Sequence, residues 1–220
     1  MRRLILCRHG ETPNNSERRF TGWADPSLTL MGRRQARALG RRLRGQALDA
    51  AYSSDLRRTV ETANLVLRGR DGLEPRPEPA LREANFGEWQ GLTFAEAQAR
   101  NPGQFTALLR RSADFRPPGG ETILEVHERV TTSFAEIRGR HDGQNVLFVS
   151  SGGPLQILLT ALFGMPPDSH WRLGMGNCSV SIVDFVQDEP LLTLLNDRTH
   201  LARLSVQPQR KLPTIGQAGE

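Results

Sequence analysis

Residues 4–12 read LILCRHGET, four apolar residues followed without a break by Arg8, His9, Gly10, Glu11 and Thr12. A run this short, stopped by polar and turn-forming residues, fits a strand buried on both faces that delivers a loop at its carboxyl end. The same design recurs downstream. Residues 28–45, LTLMGRRQARALGRRLRG, put Met31, Ala36, Leu39 and Leu43 at helical spacing and stop at Gly45. AAYSS at 50–54 is a second brief strand, and DLRRTVETANLVLRG at 55–69 carries Leu56, Val60, Ala63 and Val66 or Leu67 on one helical stripe. NVLFVSSGGPLQILLTALFG at 145–164 supplies strand, tight turn and apolar helix in succession, with Pro154 near the first helical turn. SVSIVDFV (179–186) and LLTLLN (191–196) are two further strands joined through QDEP.

Alternating strands and helices predict an α/β fold, a three-layer, mostly parallel open sheet with helices on both faces. Residues 85–140 break the rhythm with helical patterns and with PPGG at 117–120, and are read as a helical cap insertion. One domain is expected over 1–206, followed by a loose, polar, proline-punctuated tail over 207–220. With 37% hydrophobic and 24% charged residues, the composition is neither that of a disordered chain nor that of a membrane protein. The net charge of +5 could suit nucleic acid, but the basic residues are one lysine, Lys211, and arginines spread along the chain. With no basic stretch interleaved with aromatics, no nucleic-acid partner is expected, while small anionic substrates are favoured. Cys7 and Cys178 are read as reduced thiols, and no Cys/His spacing suggests a metal site. The apolar run before Arg8 is too short for a signal-peptide core or a membrane span, so a cytoplasmic location with no membrane partner is expected. Oligomeric state has no readable signal.

In open α/β sheets ligands bind beyond the carboxyl ends of the strands, so RHGET, SSDLRRT and SSGGP should face one crevice. Arg57 and Arg58 open a helix, where the macrodipole disfavours cations, and a cation held there points to an anion nearby. The SSGG turn aims backbone N–H groups and a helix N-terminus at whatever lies in front of it. Singly, each has an ordinary explanation as a solvated loop, a surface ion-pair partner or a plain turn. Their convergence on one crevice gives them weight, with Glu83 and Glu88 of LREANFGEWQG as candidate proton donors.

LCRHGETPNN resembles the signature of the histidine phosphatases and phosphoglycerate mutases, and the likeness extends through FTGWADPSLTLMGRRQA, YSSDLRRTVETA, LREANFGEWQG, PPGGET and NVLFVSSGGP to NCSV and NDRTHL. By that resemblance His9 is the phosphorylated nucleophile, Arg8 and Arg58 bind phosphate, and Glu83 is the acid. Asn15, Thr21, Gly22, Ser151 and Gly152 are implied to lie against the substrate. GEWQGLTFAEAQ and PPGGET are more similar to the phosphatase branch than to the glycolytic mutases. The resemblance implies cofactor-free hydrolysis of a small phosphomonoester through a phosphohistidine. The alternatives are a weakly catalytic module that binds phosphorylated ligands, and a phosphomutase. One position departs from the pattern: the family's second histidine is replaced by Ser151, and none of His127, His141, His170 or His200 sits in a motif that replaces it. Serine offers one neutral donor instead, and losing a preorganised donor costs on the order of 10² to 10³ in rate if uncompensated.

Overall fold

In the computed structural model, which describes residues 1–204, the opening apolar run is β1 (Arg3–Arg8). It is followed by a short helix α1 (Pro13–Ser16), α2 (Leu30–Leu43), β2 (Ala50–Ser53), α3 (Arg57–Leu67) and β3 (Pro75–Pro77). Then come α4 (Phe94–Arg100), α5 (Pro102–Leu109), α6 (Ile123–Arg140), β4 (Asn145–Ser150), α7 (Gly152–Leu162), β5 (Val180–Val186) and β6 (Glu189–Asp197). The expected tail over 207–220 lies outside the described residues.

One open six-stranded sheet results, in the order β3-β2-β4-β1-β5-β6. The first four strands in that order are parallel. β5 returns antiparallel to β1, and β6 antiparallel to β5. The β5–β6 reversal uses Gln187 and Asp188, at φ 50° and 68°, a left-handed pair whose twist matches that of the flanking strands.

Side chains alternate across the sheet even where both faces are buried. Leu4, Leu6, Tyr52, Val146 and Phe148 pack beneath α6 and α7, whereas Ile5, Cys7, Ala51, Leu147 and Val149 meet α2 and α3. Each fully buried large apolar side chain contributes about 1.5–3 kcal/mol. A one-residue slip would exchange the two faces of a strand, so this packing fixes the register.

The stretch 85–140, expected as one cap, divides. Phe20, Trp89, Ala97 and Phe105 form a small core of their own around α4 and α5. α6 instead buries Val126, Val130, Phe134 and Ile137 in the main core. Its start is marked by a capping box between Thr122, the last residue of the PPGGET motif, and Glu125.

Candidate active site

Because β1, β4 and β2 are parallel neighbours, their carboxyl ends bring residues 8–12, 151–154 and 54–58 to one edge of the sheet. His9 is buried there, its backbone N–H donating to the Ser150 carbonyl at 2.9 Å. Its Nδ1 lies 2.7 Å from the Gly10 carbonyl. A carbonyl only accepts, so Nδ1 carries the proton and Nε2 keeps a free lone pair. The His9 carbonyl is held in turn by the Cys178 N–H and the Asn177 side-chain amide, both at 3.1 Å. A Cβ on Gly10 would lie 2.6 Å from the Gly32 carbonyl oxygen, and one on Gly32 2.1 Å from that of Glu11. Two glycines therefore let the loop that carries His9 rest on the first turn of α2.

Burial, then the neighbouring Arg58 and Arg8 guanidiniums, hold the His9 imidazole well below its ordinary value of 6.5. Protonation would consume the Nε2 lone pair as pH falls, and the depressed pKa moves that loss to lower pH. The acid limb of kcat/KM, which reports the free enzyme, is accordingly expected below pH 6.5. A pH-rate profile checks this, and a limb at or above the ordinary imidazole value would contradict the assignment.

Arg58 is fully buried and fixed from below: its Nη1 and Nη2 donate to the carbonyls of Ala24 at 2.8 Å and Gly22 at 2.7 Å. Gly22 can offer that carbonyl because it sits at φ 53°, where a Cβ would also strike Gln90 Oε1 at 2.4 Å. Arg58 Nη2 also donates to Ser151 Oγ at 3.3 Å. Burial lowers the Arg58 pKa to about 10, which leaves it a cation at neutral pH. Arg8 donates from Nη1 to the Met175 carbonyl at 2.6 Å. The Nε–H groups of both arginines are buried without a hydrogen-bond partner among the described residues. Buried donors rarely go unpaired, and two cationic ones beside a histidine suit the oxygens of a phosphate. Ser151 and Gly152 add the N-terminus of α7, where Ser151 is the N-cap yet its hydroxyl makes no capping bond. Arg57, in contrast, points to solvent and pairs with Asp25, whose carboxylate accepts from the Arg57 backbone N–H at 2.7 Å.

Glu83 reaches the same crevice. Its carboxylate accepts from the backbone N–H groups of Ala84 at 2.9 Å and Gly153 at 3.4 Å. A Cβ on Gly153 would lie 2.2 Å from Glu83 Oε1, so Gly153→Ala should displace the carboxylate and lower kcat roughly tenfold with the fold retained. Steady-state kinetics beside a thermal melt test this. The Glu83 backbone is clamped by Trp23 Nε1–H at 2.9 Å and Arg129 Nη2–H at 3.0 Å, and Arg129 also donates to the Ala80 and Arg82 carbonyls. Glu88, the other candidate acid, lies outside and pairs with Arg100 at 3.4 Å. Asn15 closes the α1 capping box and accepts from Asn177 Nδ2 at 3.0 Å. Thr21 and Gly22 line the cavity.

The crevice opens into a cavity of about 320 Å³ whose lining includes Arg8, His9, Arg58, Glu83 and Ser151. His170 lines it as well, from a 3-10 turn over Pro167–Arg172. Its Nδ1 donates to the Pro167 carbonyl at 2.8 Å, and burial lowers its pKa. Sequence reading passed over Arg129, since an arginine in a helix carries no distinguishing pattern; it took Gly153 only as part of the SSGG turn and set His170 aside because it sits in no motif. Asn177 stood in the quoted NCSV motif, where a sign of its role was present. Among the described residues no group of three or more His, Cys, Asp or Glu side chains is placed to hold a metal ion, and no helix is long and apolar enough to cross a membrane.

An anion site assembled from arginines and a helix N-terminus around a neutral histidine, at the switch point of an α/β sheet, defines a phosphoryl-handling protein. Residues 4–198 match the histidine phosphatase superfamily (branch 1), and the chain belongs to that family as a phosphatase. It is 31% identical over 212 residues to phosphoserine phosphatase 1 of Hydrogenobacter thermophilus, a match covering 96% of this chain and all of that protein. To the 2,3-bisphosphoglycerate-dependent phosphoglycerate mutase of Brucella ovis it is 36% identical over 173 residues, covering 76% of this chain and 84% of the mutase. The solved mycobacterial glucosyl-3-phosphoglycerate phosphatase, complexed with VO3, superposes with a TM-score of 0.82 at 34% identity, covering 90% of this chain and 100% of that one.

Proposed function

We propose that this phosphatase hydrolyses small phosphomonoesters in two displacements through a phosphohistidine on His9. The observation that carries the proposal is the tautomer of His9, with Nδ1–H tied to Gly10 and Nε2 unprotonated, in a cavity shared with Arg8 and Arg58, whose Nε–H groups have no partner among the described residues. Nε2 uses its lone pair to form a bond to phosphorus as the ester P–O bond breaks, and Glu83, in its acid form, protonates the departing alkoxide. Arg8, Arg58, the Ser151 hydroxyl and the N-terminus of α7 take up the charge on the non-bridging oxygens. Glu83, now a carboxylate, accepts a proton from the water that attacks phosphorus, and the N–P electron pair returns to Nε2. No cofactor enters either step.

Two in-line displacements invert phosphorus twice. Hydrolysis in labelled water of a phosphomonoester made chiral at phosphorus is therefore expected to proceed with net retention. Net inversion would mean direct attack by water and would remove His9 from the covalent role. The likeness to a mutase favours a second reading, in which the phosphoryl group returns to a second hydroxyl. Transfer of label to an acceptor alcohol in preference to water would support it.

A further inference from the structure

Beside His9 and the arginines, the cavity is lined by Phe20, Phe94, Leu108, Leu109, Phe115 and Trp171. Phe20 and Phe94 are in ring contact, with centroids 4.6 Å apart. Of the charged groups that also line the cavity, Arg19 and Glu121 are committed elsewhere. Arg19 is paired with Glu17 at 2.7 Å and Glu96 at 2.9 Å. Glu121 receives Arg129 through two bonds of 3.0 Å and the Asn85 N–H at 2.8 Å. His170 spends its Nδ1 proton on Pro167, which leaves Nε2 an acceptor. Arg111 lays its guanidinium face over the Trp171 ring, 3.5 Å from the centroid, and has no carboxylate within ion-pair distance among the described residues. Its stacked face is part of the apolar wall.

Taking the hydrolysis of phosphomonoesters as given, we infer that the alcohol this site releases is apolar, aromatic or branched aliphatic, and bears no carboxylate. A phosphorylated hydroxy acid would have to bury its carboxylate among phenylalanine and leucine side chains with the stacked Arg111 as its partner, and a buried charge left unpaired is costly. An aromatic ring would be enclosed by rings on several sides, the environment in which apolar ligands gain most.

Phenethyl phosphate and phosphoserine both release primary alkoxides, so a difference between them reads the cavity more than leaving-group chemistry. kcat/KM is expected to be at least roughly tenfold higher for phenethyl phosphate. Leu108→Asp should erase the preference by lowering the phenethyl value about tenfold, with a melting temperature to verify folding. The corresponding non-hydrolysable phosphonates, 3-phenylpropylphosphonate and 2-amino-4-phosphonobutyrate, measure the same selectivity by titration calorimetry on the unaltered protein. Tighter binding of the aromatic phosphonate with no ester hydrolysed would uphold the assignment of the cavity and sink the hydrolase reading. Equal values for the two compounds in both assays would overturn the inference and leave hydrolysis intact. So would a preference for phosphoserine abolished by Arg111→Ala, since Arg111 would then be a carboxylate receptor.

Discussion

Replacing His9 with alanine is expected to lower kcat by on the order of 10⁴ or more, because no second nucleophile stands where His9 does. The loss should come with little change in fold. His9 is held mainly through its backbone, by Ser150, Cys178 and Asn177, and those bonds survive the substitution. Arg8, Arg58 and the N-terminus of α7 also remain, so phosphate or vanadate should still bind to His9→Ala with an affinity within about tenfold of the parent. Steady-state kinetics and anion titration on the same preparation separate the two effects. A variant that binds vanadate and keeps more than about one hundredth of the parent turnover would show that water attacks phosphorus directly in this crevice. A variant that binds no anion would show that the imidazole helps to organise the phosphate site.

Ser151→His is the second large change, and it works in the opposite direction. Ser151 is fully buried, and Arg58 already donates to its Oγ, which leaves one O–H to offer a phosphoryl oxygen. An imidazole at the head of α7 would add a donor aimed into the same space. If the rest of the crevice suits a histidine at this position, as the family resemblance implies, kcat should rise by on the order of 10². The gain should fall on kcat more than on KM, because a donor that strengthens as charge builds on phosphorus lowers the barrier more than it tightens the ground state. Unchanged or reduced kcat would mean that the turn has been rebuilt around serine. Ser151→Ala then decides what for. A large fall in kcat marks the hydroxyl as the working donor, whereas weaker phosphate affinity without a change in turnover marks a module built for binding.

The parallel core of the sheet was legible because β1, β2 and β4 are short apolar runs bounded by turn residues, each followed by a helix with a clear stripe. Strand β3 was not. Pro75-Arg76-Pro77 has no apolar pattern, and it pairs with β2 at the sheet edge, the one place in a sheet where prolines are tolerated. The division of 85–140 was also hidden, since the stripe of α6 says that it packs without saying on what. At the site, strand ends and motifs pointed to His9, Arg8, Arg58 and Glu83, which the fold brings to one cavity, but local pattern could not separate Glu83 from Glu88 or Arg58 from Arg57. The family resemblance singles out Arg58 and Glu83, and the fold agrees by turning Glu88 toward Arg100 and Arg57 toward Asp25. Gly153 and Arg129 act on Glu83 across 70 and 46 residues of sequence, a range that no local reading spans.

The small aromatic core around Trp89 bears on how this protein can diverge. The phosphate end of the cavity is fastened through main-chain contacts, glycine against backbone and carbonyl against guanidinium, where almost any side-chain change would be felt by the chemistry. The turn bearing Trp171 rests on α7 and α6, but the rest of the apolar lining hangs on α4 and α5, which pack largely on one another and on Trp89. Exchanges at Phe94, Leu108 or Phe115 are absorbed there, away from the strands that hold His9. Selection, or a designer, can vary the alcohol accepted through a handful of positions while the step at phosphorus is inherited unaltered.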